Sequence, residues 1–193
     1  MPAIQLVVGL GNPGSEYEPT RHNAGFWFVD ELVQRCRQTF RAESRFQSEV
    51  ARCVLNGSEC RLQKPLSFMN RCGQPVSALA RFFRVERQQI LVVHDDLDLP
   101  AGSVKFKQGG GHGGHNGLRD LITHLGGNDF YRLRIGIGHP GHRDQVVDYV
   151  LKKPSRADRE CIDDAVHAAL DVMPDILEGR FERAMHVLHS RPA

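Results

Sequence analysis

The 193-residue chain predicts an α/β fold, a single globular domain with a twisted mixed β-sheet and helices packed on both faces. Three observations lead there. Short apolar runs such as Ile4–Val8 and Ile90–Val93 alternate with stretches whose apolar residues recur at helical spacing. The dipeptide Asn56-Gly57 separates two strand-like runs, and a tight hairpin at that point forces at least one antiparallel pair into the sheet. Glycine-rich segments follow the ends of apolar runs, where α/β proteins place their chemistry.

Taken in order, Ile4–Val8 reads as a buried strand. The stretch from Gly9 to Gly25 is longer than the usual connection of roughly two to six residues. Ala24–Gln38 then places Phe26, Val29, Leu32, Val33 and Cys36 on one helical face. Phe46–Leu55 and Glu59–Lys64 flank Asn56-Gly57 as hairpin arms, and Pro65 closes the second. Gly73-Gln74-Pro75 opens another helix with proline near its first turn, and Val76, Leu79, Ala80 and Phe83 form its apolar face. Ile90–Val93 is a compact strand ending in His94-Asp95-Asp96, and Ser103–Lys107 reads as a weaker strand. A glycine-dense loop from Gly109 to Gly117 precedes a short helix at Leu118–Leu125 and a strand at Arg132–Ile137. From Ser155, a plausible N-cap, the tail is helical with a break around Pro174. No internal repeat or linker divides residues 1–193, so one domain is expected.

The apolar fraction of 40% and charged fraction of 25% are ordinary for a soluble globular protein. A formal charge of +2 is too weak by itself to imply nucleic acid. The five cysteines (Cys36, Cys53, Cys60, Cys72, Cys161) are odd in number, scattered, and form no Cys-x-x-Cys. A disulfide framework and a four-cysteine zinc site are both disfavoured, and a reducing compartment is expected. Neither a leader nor an apolar run of membrane-spanning length is seen, so the expectation is a cytoplasmic monomer with no membrane partner.

Gly9-x-Gly11-x-x-Gly14 after a strand suggests a dinucleotide fingerprint, but Glu18-Pro19 would break the helix that fingerprint requires. The later glycine loop lacks the Gly-Lys-Ser/Thr ending of a nucleotide-triphosphate loop, although its backbone N–H groups can still meet an anion or a substrate. His22, His94, His112 and His115 with Asp95, Asp96 and Asp98 offer metal ligands, yet no His-Glu-x-x-His helix holds them. Acid–base catalysis without a cofactor fits better. An imidazole titrates near neutrality and works best when a carboxylate holds its other nitrogen, which points to His22 with Asp95. Asn12, Asn70 and Asn116, each on or beside a glycine-containing loop, add uncharged amides that can grip a carbonyl.

Gly9-Leu-Gly-Asn-Pro-Gly14, Arg21-His-Asn-Ala-Gly25, Phe68-Met-Asn70, His94-Asp95 with Leu97-Asp-Leu-Pro100, Gly109-Gly-Gly-His-Gly-Gly-His-Asn-Gly117 and Arg134-Ile-Gly-Ile-Gly-His-Pro-Gly141 together resemble the bacterial peptidyl-tRNA hydrolase family. The resemblance runs in order along nearly the whole chain. It implies an esterase that separates a stalled peptide from the 3′ ribose of its tRNA, with no cofactor. By position, His22 matches the family's catalytic base, Asp95 the acid that keeps it basic, and Asn12 the residue associated with telling blocked from free aminoacyl-tRNA. Tyr17, Phe68, Asn70 and Asn116 match peptide or tRNA contacts, and Met69 and His115 line the same cleft. Lys105, Lys107, Arg134 and Arg143 surround the glycine loop in sequence and are the candidate phosphate contacts. Asp96 stands where the family more often has glutamate, Ser67 where threonine is common, and His142-Arg143 where a lysine is expected. A non-catalytic tRNA-binding module and a metal-dependent hydrolase are the competing readings.

Overall fold

The structure is a computed structural model that describes residues 3–192. Its sheet is built from β1 (Leu6–Gly9), β2 (Arg41–Glu43), β3 (Ser48–Leu55), β4 (Ser58–Pro65), β5 (Ile90–Asp96), β6 (Val104–Gln108) and β7 (Tyr131–Gly136). Seven strands lie in the order β2-β3-β4-β1-β5-β7-β6. The centre, β4-β1-β5-β7, is parallel, while β2–β3, β3–β4 and β6–β7 are antiparallel. The sheet is therefore mixed, as the hairpin signal required. Asn56 and Gly57 both take positive φ, 49° and 83°, the conformation a two-residue hairpin turn demands.

The helices are α1 (Ala24–Arg35), α2 (Gly73–Phe82), α3 (Asn116–Leu125), α4 (Val146–Val150), α5 (Arg156–Asp171), α6 (Met173–Leu177) and α7 (Phe181–His189). Period-2 alternation along the central strands sorts their side chains to two cores. Val7, Leu91 and Val93 join α1, α5, α6 and α7 on one face. Leu6, Val8, Ile90 and Val92 meet α2 and α3 on the other. Helices thus cover both faces. On β6 and β7 the second face changes character: Lys105 pairs across from Arg134 and Lys107 from Arg132, so four cations occupy positions that face the helix layer elsewhere.

Ser155 caps α5 by accepting from the Asp158 N–H, and the helical tail breaks at Val172, just before Pro174. Several expectations change. α1 stops at Arg35, because Arg37 enters the left-handed region (φ 56°). The third helix starts at Asn116 instead of Leu118, which moves Asn116 and Gly117 from the loop into its first turn. β2 and α4 carried too little periodicity to be foreseen. The cysteines also differ: Cys36 at the end of α1 and Cys53 on β3 are joined in a disulfide, with Cα atoms 5.3 Å apart. Packing of α1 against the hairpin brings together two residues that sequence spacing kept apart, while Cys60, Cys72 and Cys161 are free thiols. No helix among the described residues is long and apolar enough to cross a membrane.

Candidate active site

Parallel strands deliver their carboxyl ends to one edge, so the segments after β1, β4 and β5 converge there. They enclose a cleft of about 690 Å³. The 3₁₀ turn Arg21–Asn23 runs directly into α1 and carries His22. α1 reaches the sheet because residue 25 is glycine: a Cβ there would strike the Val93 carbonyl and lie 2.6 Å from the Leu10 backbone. That close approach sets His22 over the end of β5. Its Nδ1 stands 2.8 Å from Asp95 Oδ2, closing a pairing across 73 residues of sequence.

Both partners are buried, His22 at 8% and Asp95 at 2% exposure. Burial alone would lower the His22 pKa, but the charge of Asp95 and the hydrogen bond to it outweigh burial, and the pKa is raised. For Asp95, burial opposes ionisation. The His22 and His115 imidazoles overcome it and hold the carboxyl well below the usual carboxylate range. The proton between the pair therefore rests on His22 Nδ1, leaving Nε2 as the basic nitrogen.

Asp95 is held from its other side too. His115 Nε2 lies 2.8 Å from Oδ1. His115 caps α3, its Nδ1 accepting from the backbone N–H groups of Gly117 and Leu118. Beneath them sits His94, fully buried, with Nδ1 against the Asp95 carbonyl and Nε2 without a partner. Burial pushes His94 down to about 3, so it stays uncharged at neutral pH. His22, Asp95 and His115 also offer three ligand atoms within 4.8 Å of one another, close enough for a metal ion, although each Asp95 oxygen already faces an imidazole nitrogen.

Asn12 is fixed in orientation by its neighbours. The Asn23 side chain brackets the Asn12 backbone, accepting from its N–H at 2.8 Å and donating to its carbonyl at 3.0 Å. The Met69 N–H donates to Asn12 Oδ1 at 2.7 Å. With its oxygen occupied, Asn12 turns its amide NH₂ to the cleft, where it has no hydrogen-bond partner among the described residues. Met69 thus contributes its backbone, and its side chain is buried. Asn70, on the turn Met69–Arg71, and Asn116, in the first turn of α3, are exposed at the cleft. Tyr17 and Phe68 meet edge-to-face across the entrance, 6.1 Å between ring centres.

One wall is cationic. Lys107, Arg132 and Arg134 line the cleft, and Arg134 is held by Asp96 at 2.7 Å. The shorter acid at position 96 therefore makes this contact without difficulty. Burial, then the neighbouring arginines, lower the Lys107 pKa, as expected where like charges crowd. Lys105 shares the face but lies outside the cleft lining, and Arg143 stands on an exposed turn beyond it. Sequence reasoning missed Arg132, whose guanidinium donates to the Gly110 and Gly111 carbonyls and anchors the glycine loop. It also missed Arg21 and α4. Arg21 stacks on Tyr149 and donates to the Tyr149 and Lys152 carbonyls, tying the His22 turn to the apolar wall of Val146, Val147 and Val150.

A buried imidazole–carboxylate pair on the floor of an open cleft, at the carboxyl ends of a parallel sheet, is the arrangement of a hydrolytic α/β enzyme. A family profile described as peptidyl-tRNA hydrolase matches residues 6–193. The chain is 57% identical over 188 residues to a peptidyl-tRNA hydrolase of Neisseria meningitidis serogroup C, covering 97% of this chain and 98% of that one. It is 53% identical to one from Halorhodospira halophila, over 97% and 96% of the two chains. A crystal structure of peptidyl-tRNA hydrolase from Acinetobacter baumannii superposes with a TM-score of 0.95 at 43% identity, covering 97% and 95%. This chain belongs to the peptidyl-tRNA hydrolase family.

Proposed function

We propose that this protein hydrolyses the ester between the peptide and the 3′ ribose of tRNA in peptidyl-tRNA, acting as a cytoplasmic monomer with His22 as general base. The observation that carries the reading is the His22–Asp95 contact at 2.8 Å on the floor of a cation-walled cleft. Nε2 takes a proton from water while the water oxygen attacks the ester carbonyl carbon. The negative charge that develops on the carbonyl oxygen meets N–H donors from Asn12, Asn70 or Asn116. Collapse breaks the bond to the ribose 3′ oxygen, which receives the proton from the imidazolium. Asp95 stabilises that imidazolium throughout.

The orientation of Asn12 gives a physical basis for selectivity. Its exposed NH₂ suits a peptide carbonyl, an acceptor, and offers nothing to a free α-ammonium, which only donates. Lys107 and Arg134 supply the phosphate contacts, read by charge and shape, while the buried Arg132 adds positive charge behind them and holds the glycine loop. Incubation with N-acetylaminoacyl-tRNA tests the reading: ester release by the wild-type protein is expected, and its absence would leave only an RNA-binding module. The cluster of three ligand atoms within 4.8 Å gives a metal-dependent route a specific footing. Exhaustive chelation separates the two, with full activity retained on the route through His22 and lost on the metal route.

A further inference from the structure

The Asp95 carboxylate has one oxygen for each of two histidines. Oδ2 faces His22 Nδ1 and Oδ1 faces His115 Nε2, both at 2.8 Å. The two imidazoles are not equivalent, and the difference lies in what their second nitrogens do. His22 keeps Nε2 for the cleft. His115 commits Nδ1 to the end of α3, accepting from the Gly117 N–H at 3.1 Å and the Leu118 N–H at 3.3 Å. A nitrogen that accepts two N–H groups carries no proton of its own, so the ring proton lies on Nε2, aimed at Asp95. Neither ring nitrogen of His115 is left for a substrate.

We infer that His115 is a positioning residue for the hydrolysis: a neutral clamp, locked in one tautomer by the helix end, that stops the Asp95 carboxylate turning away from His22. The inference rests on the reading of His22 as the base. A carboxylate gripped from one side only can rotate about its Cβ–Cγ bond and lose its alignment with the imidazole. The second grip comes from a rigid element, the first turn of a ten-residue helix. Because the donor is uncharged, it orients Asp95 without neutralising it, and the full negative charge stays available to the imidazolium that forms on His22. A cationic partner in the same place would hold the carboxylate as well but would compete for that charge. The helix terminus supplies the second property, since its orphan N–H groups require an acceptor at Nδ1.

Two substitutions separate clamping from capping. In His115→Asn the amide oxygen stands where Nδ1 was, restoring the cap, but the side chain is too short to reach Asp95. In His115→Gln the amide NH₂ reaches the position of Nε2 and the cap is given up. With N-acetylaminoacyl-tRNA as substrate, both variants are expected to hold KM within about twofold of wild type. The Gln variant should keep at least about ten times the kcat of the Asn variant, the lower end of what one aligned proton-transfer group contributes, even though Asn is the better cap. Equal kcat values, Asn ahead of Gln, or a loss carried in KM would each overturn the inference. Should a variant fail to fold, imidazole nitrogen NMR of the wild-type protein at mildly alkaline pH decides alone: the Nε2–H tautomer of His115 supports the clamp and the Nδ1–H tautomer overturns it. Wild-type turnover in the same assay reports separately on the proposed function.

Discussion

The floor and the wall of the cleft are built on opposite principles. On the floor the reacting side chains are held in place by their neighbours: Asp95 by two histidines, Asn12 by Asn23 and the Met69 N–H, His115 by the end of α3. On the wall, Lys107, Arg132 and Arg134 crowd like charges together, with Asp96 as the acidic partner of Arg134. Buried geometry makes a base whose strength depends on one neighbour. Accumulated charge makes a binding surface whose strength depends on salt. Chemistry and affinity should therefore fail separately when the two regions are altered.

The sharpest separation is expected from His22→Ala, which removes the proton acceptor. kcat should fall by about 10²–10⁴ with KM and thermal stability close to wild type. Steady-state kinetics beside a melting curve checks this, and a matching rise in KM would place His22 in binding. Next comes Asn12→Asp, which puts acceptors where an N–H donor faced the acyl group. Hydrolysis of N-acetylaminoacyl-tRNA should drop by about 10² while the preference over free aminoacyl-tRNA narrows. Competition between the two substrates measures it, and an unchanged ratio would remove Asn12 from selection.

On the wall, Lys107→Ala should raise KM severalfold, leave kcat unaltered, and lower the slope of log affinity against log salt by roughly one. A titration of tRNA binding across salt concentrations reads that slope. The smallest effects belong to Lys105→Ala and Arg143→Ala, since neither residue lines the cleft. Each should change KM by less than about twofold. A Lys105 or Arg143 variant weaker than the Lys107 variant would mean that tRNA tracks along the sheet edge instead of the cleft wall.

What could be read from the sequence follows the same division. β1, β5, the Asn56-Gly57 hairpin and the Ser155 cap were legible because each is encoded within a few residues. The components of the site and the His22–Asp95 pair were legible as residue chemistry, but the second grip on Asp95 from His115 was not. His22, His94, His112 and His115 were all candidate metal ligands; acid–base chemistry pointed to His22 with Asp95, the family resemblance implied the same pair, and their 2.8 Å contact lies across 73 residues of sequence. Arg132 was hidden for a different reason. Its role depends on the β6–β7 register and on where the glycine-loop carbonyls point, neither of which leaves a local signal. α4 has five residues, too few to show helical periodicity, yet it forms the apolar wall. The Cys36–Cys53 contact likewise exists only once α1 lies against the hairpin.

The central claim is that Asp95 makes His22 the base. The pH dependence of kcat/KM in wild type and Asp95→Asn tests it most directly. His22 must be unprotonated to act, so activity rises with pH through its pKa, and the wild-type acid limb should lie above the ordinary 6.5 because Asp95 raises it. With the carboxylate gone, burial alone remains and lowers the pKa. The limb should then move below 6.5 while the plateau falls by about 10². An acid limb at the same pH in both proteins would contradict the account.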